Sequence, residues 1–112
     1  MRADQAYDQL MRRVREESLL TGIEALLEWD EDTYMPSGGV ENRSEQLALV
    51  AGLLHYRGTD PRLGELLAAL EGSDLLADPT GPAAVNVRAV RREYDRFVRL
   101  PRTLVELSLI HI

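Results

Sequence analysis

The densest group of side chains able to do chemistry lies between Glu28 and Glu41. Glu28, Asp30, Glu31 and Asp32 surround the single tryptophan, Trp29, and Thr33, Tyr34, Met35 and Pro36 lead on to Gly38 and Gly39. Carboxylates in such number could coordinate a hard cation. If Asp30 is the first position of a calcium loop, Asp32 falls at the third and Glu41 at the twelfth, as an EF-hand loop requires. Tyr34 then stands at the fifth position, and Met35 at the sixth, where the sharp turn needs glycine. Pro36 at the seventh still offers a carbonyl. The plainer reading is a solvated acidic helix end that caps the helix after it.

Other catalytic arrangements lack their parts. Hydrolysis at zinc needs a His-Glu-x-x-His helix and a further downstream ligand. The histidines are His55 and His111, and neither has a histidine four residues away. His55, in Leu-Leu-His-Tyr-Arg, reads as a helix-end residue, where a cationic imidazole suits the dipole. No Ser-His-Asp or Cys-His set can be assembled, and neither the phosphate-loop nor the dinucleotide glycine pattern occurs.

The elements that must position the acidic corner are helices. The first starts near Asp4, a good N-cap residue. Tyr7, Leu10, Met11, Val14, Ser18, Thr21, Gly22 and Ala25 follow one helical stripe. Leu19, Leu20, Ile23, Leu26 and Leu27 add a second apolar face, so this helix needs cover on most sides. Pro36, Gly38 and Gly39 break it. A second helix spans 40–56, with Leu47, Val50, Ala51 and Leu54 inward and Leu49 and Leu53 on the flanks. Asp60 as N-cap with Pro61 at the first helical position starts a third, over 61–70. After a loop over 73–81, a fourth runs over 82–98, with Val87, Val90, Tyr94 and Phe97 or Val98 inward. Pro101 or Arg102 opens a fifth. No segment alternates long enough to be a strand, and the fold class is all-α with four to five helices.

Glu28, Asp30, Glu31 and Asp32 oppose the dipole of the helix they end, which is locally unfavourable; Arg43 or an arginine of the fourth helix is the candidate to hold them. Trp29 is expected in the core with its indole N–H on an acceptor. The sharper alternative turns it to solvent at a substrate cleft.

The 112 residues suffice for one small domain. Apolar residues make up 45% and aromatic ones only 5%, which calls for a Leu, Ala and Val core in helices. A net charge of -6 argues against nucleic acid and anionic membranes as partners. All 13 basic residues are arginine. Cysteine is absent, which excludes disulfides and thiolate metal sites. No run reaches the roughly 20 apolar residues of a membrane span, and Met1 leads into a charged amphipathic segment rather than a signal peptide. The localisation these features indicate is cytoplasmic.

The run Trp29-Asp30-x-x-Thr33-x-Met35-Pro36, then Gly38-Gly39 and Arg43-x-Glu45-Gln46-Leu47, resembles the N-terminal region of the thermostable carboxypeptidase (carboxypeptidase Taq) family. Ala51-Gly52-Leu53-Leu54-His55, Thr59-Asp60-Pro61-x-Leu63-Gly64-Glu65-Leu66-Leu67, Val90-Arg91-Arg92-Glu93-Tyr94-Asp95 and Leu100-Pro101-x-x-Leu104-Val105-Glu106 extend the resemblance over 4–106. It implies the N-terminal portion of a larger all-helical, cytosolic metallocarboxypeptidase that releases C-terminal residues from peptides. The resemblance further implies a His-Glu-x-x-His zinc site with a downstream glutamate ligand. There the metal polarises the scissile carbonyl and activates water, and the motif glutamate is the general base. Zinc or another divalent metal is thus implied for the parent, which could pair as a homodimer. None of those residues lies in this sequence, so no catalytic or metal residue is assigned here. Trp29, Asp30, Thr33, Tyr34, Met35 and Pro36 take a groove-side or structural role.

On this reading residues 1–106 are an incomplete helical domain whose partners are peptides and the rest of its own chain. Residues 107–112, Leu-Ser-Leu-Ile-His-Ile, read back into codons as the end of a transposase-type sequencing adaptor, so they are expected to be a non-native tail. The fragment is expected to be inactive alone, to bind no zinc, and to be poorly stable or self-associating. The alternative is a free-standing acidic helical module that binds a partner helix in a groove.

Overall fold

Four helices carry almost the whole described chain: α1 (Ala3–Thr33), α2 (Val40–Gly58), α3 (Pro61–Glu71) and α4 (Pro82–Arg99). A 3-10 turn, Asp74–Leu76, sits between α3 and α4. The computed structural model describes residues 1–33 and 39–99. Tyr34, Met35 and Pro36, the fifth helix and the tail over 107–112 lie outside the described residues.

The caps explain the boundaries. Asp60 accepts a 3.0 Å hydrogen bond from the Arg62 backbone N–H, and Pro61 holds the first helical position of α3. The Arg62 amide is the main reason that the Asp60 carboxyl sits below its ordinary range; the Arg13 guanidinium at 3.0 Å adds to this. Between the 3-10 turn and α4, Asp78 accepts from both the amide and the hydroxyl of Thr80, and its carbonyl accepts from the Gly81 amide. This side-chain turn redirects the chain into Pro82.

The core lies at one end of the molecule. Ala6 and Leu10 of α1, Leu63, Leu66, Leu67 and Leu70 of α3, and Val87 of α4 form one buried cluster, with Tyr7, Met11, Leu76, Val90 and Tyr94 packed against it. α3 puts four leucines into this cluster from only 11 residues. α4 settles against α3 and α2 at two glycines. The Tyr94 hydroxyl lies 2.8 Å from where a Cβ of Gly64 would stand, and the Phe97 ring 3.1 Å from that of Gly58. Phe97, not Val98, is the inward residue at the end of α4; Val98 is exposed.

The α1 stripe continues past this core without cover. Ser18, Thr21, Gly22 and Ala25 are all exposed. The reason is length: α1 has 31 residues and so reaches about 45 Å, whereas the 11 residues of α3 reach about 16 Å. Beyond the first turns only α2 accompanies α1, and the described residues form a rod with extents of 55 × 26 × 23 Å.

Candidate functional site

The acidic corner forms where the end of α1 meets the start of α2. Asp30 accepts a 2.6 Å ion-paired hydrogen bond from Arg43. No basic residue stands in the last turn of α1, so Arg43 supplies from α2 the cation that the helix end requires. The Thr33 hydroxyl donates to the Trp29 carbonyl at 2.7 Å, which satisfies one of the last carbonyls of α1.

Trp29 itself is 54% exposed, so its expected place in the core is corrected. The core cluster draws on α1 only as far as Met11, and at its far end the helix lies beside α2 rather than within that core. Of the six residues singled out in the corner, the structure brings Trp29, Asp30 and Thr33 together in the last turn of α1. Tyr34, Met35 and Pro36 fall outside the described residues.

On the other flank of α1, Glu24, Glu28, Glu31 and Asp32 line an open groove closed on its far side by Ser44, Leu47 and Ala48 of α2. Partial burial raises the Glu24 carboxyl above its ordinary range, and Glu28 one turn away adds to the rise. The groove is thus a site of concentrated negative charge facing solvent. Among the described residues no three His, Cys, Asp or Glu side chains converge closely enough to hold a metal ion. The described residues therefore do not fit a catalytic metal, and no step through one is assigned to them.

His55 sits in the last turn of α2, its ring meeting Phe97 edge-on at 6.3 Å and 76°. Its Nδ1 is buried without a hydrogen-bond partner. That is a packing position rather than a nucleophile's base.

A second polar cluster was not foreseen. Arg13 pairs with Asp60 at 3.0 Å and Glu16 with Arg57 at 3.0 Å, where α1 crosses the α2–α3 corner. Glu17 lies beside them, one carboxylate oxygen buried and accepting no hydrogen bond. Burial raises its carboxyl above the ordinary range, although Arg57 and Arg13 pull it down. The sequence signal was faint: the pairs span 41 and 47 residues, and only the antiparallel turn of α2 on α1 brings them level. No helix among the described residues is long and apolar enough to cross a membrane.

A family model for carboxypeptidase Taq (M32) metallopeptidases matches residues 9–109. The chain belongs to this family. It is 46% identical over 109 residues, 96% of its own length, to thermostable carboxypeptidase 1 of Thermus thermophilus. Those residues cover 21% of that relative, so the chain spans about a fifth of the length of the curated protein it matches. The all-helical fold agrees with the family resemblance carried by the Trp29–Pro36, Asp60–Leu67 and Val90–Asp95 runs.

Proposed function

We propose that this chain is the N-terminal helical portion of a metal-dependent carboxypeptidase that releases C-terminal amino acids from peptides. The single observation that carries the proposal is 46% identity along 96% of the chain to a thermostable carboxypeptidase. In this reading the divalent metal, zinc by resemblance, is held by residues of the longer polypeptide. The chain alone is inactive and binds no metal stoichiometrically. The Trp29 corner and the acidic groove then stand beside the path of the peptide, in a cytoplasmic enzyme.

What these residues can supply is shape and charge. Arg43 pairs with Asp30 and so ties the first turns of α2 to the last turn of α1. The carboxylates of Glu24, Glu28, Glu31 and Asp32 gather negative charge along the groove and favour cationic over anionic segments of a nearby chain.

The test begins with the nucleotide record. The proposal expects an open frame through Glu106 into a His-Glu-x-x-His helix, and adaptor codons over 107–112. A stop codon directly after Glu106 favours the free-standing interaction module instead. Metal analysis of the longer polypeptide, with one divalent ion per chain removable by chelator, is the expected biochemical counterpart.

A further inference from the structure

Two ion pairs set the register of the long hairpin. Glu16 pairs with Arg57 and Asp30 with Arg43, so α1 and α2 run antiparallel with Ile23 level with Val50. Glu16, Ile23 and Asp30 are spaced by seven residues, two turns of helix, and share one side of α1. Arg43, Val50 and Arg57 share the matching side of α2 by the same spacing. Between the two charged ends lies an apolar stretch about 21 Å long. Leu19, Ile23 and Leu26 recur there at helical spacing as one ridge, 52%, 48% and 63% exposed, and Leu53 of α2 adds a further 43% exposed side chain. A ridge of this kind takes another helix in its groove. Isolated exposed leucines need no explanation, whereas apolar side chains that recur along one helix ridge offer a surface for a partner.

We propose that this strip seats a helix from the part of the full-length polypeptide outside these 112 residues, an inference that rests on the carboxypeptidase reading above. The curated relative is about five times longer than the stretch matched here, so ample chain exists to supply the helix. A second copy of this chain fits the strip poorly. The same half of α1 carries Glu24, Glu28, Glu31 and Asp32, and the chain carries a net charge of -6, so pairing two copies juxtaposes like charges. The occupant has an uncharged apolar stripe over the middle of its contact, because the ion pairs at both ends already satisfy the charged groups there.

These 112 residues hold no cysteine, so a cysteine introduced among them is the only thiol of this region. In the full-length polypeptide, Ile23→Cys and Leu53→Cys are treated with N-ethylmaleimide, and the modified site is identified by mass spectrometry. The expected result is labelling at least about a hundredfold slower than at the same site in denaturant. Amide exchange over 19–29 of the unsubstituted polypeptide is protected alongside, independently of any effect of the cysteines on folding. Labelling within about threefold of the denatured rate, with fast exchange over 19–29, overturns the proposal. So does protection that vanishes on dilution, which assigns the strip to a second copy. The two readings separate cleanly: a polypeptide that releases C-terminal amino acids while its strip labels freely sinks the docking alone, and a protected strip in a polypeptide without that activity sinks the carboxypeptidase reading alone.

Discussion

Asp60 does two jobs with one carboxylate: it caps α3 through the Arg62 amide and pairs with Arg13 of α1. Because its native pKa is lowered, its contribution is fully present above the ordinary aspartate range and is lost as pH falls through the native value. Asp60→Ala is expected to cost ~1 kcal/mol at pH 7 by urea unfolding. The deficit shrinks as the pH drops below about 4. Glu17 has the opposite sign. Its raised pKa means that the native state bears the burden of a half-buried charge above that pKa and sheds it as pH falls. Glu17→Gln is therefore expected to leave stability at pH 7 unchanged or higher, with the advantage fading toward about pH 4. A loss of more than about 1 kcal/mol at pH 7 means that Arg13 and Arg57 outweigh burial. The Asp60-Pro61 cap was legible because its geometry is local to the sequence. The Glu17 cluster was not, since its partners come from a distant helix.

At the scale of elements, the contact between α3 and α4 turns on Gly64. Alanine in a helix interior ordinarily gains ~1 kcal/mol over glycine. Here the new Cβ meets the Tyr94 hydroxyl at 2.8 Å, so one of the two must shift. Gly64→Ala is expected to destabilise, and to do so less in a Tyr94→Phe background; equal effects in the two backgrounds remove the hydroxyl from the account. Leu67 of α3 is wholly buried in the cluster that α3 shares with α1 and α4, and Leu67→Ala is expected to cost about 2–5 kcal/mol, read from urea unfolding curves. Inward faces of α2, α3 and α4 were readable from apolar spacing, and the start of α3 from its Asp60-Pro61 cap. The stripe of α1 past Val14 misled, because periodicity marks a face that can be covered without saying which element covers it. Trp29 followed the same pattern: its type suggested burial, and its place beyond the reach of α3 left it exposed.

At the scale of the whole molecule, a small core at one end and a long two-helix arm leave most of the acidic and apolar surface of α1 open. That distribution is consistent with the proposal that the chain is the N-terminal portion of a larger helical carboxypeptidase. The family was legible from linked motifs, whereas the His-Glu-x-x-His motif that the resemblance implies does not occur in these 112 residues. The most direct test is a release assay with one peptide substrate, comparing the longer polypeptide with the 112-residue chain. Chelator-sensitive release of C-terminal amino acids by the longer polypeptide, and none by the 112-residue chain, is the predicted result. Metal-dependent release by the 112-residue chain, or no release by the longer polypeptide after metal loading, contradicts the account.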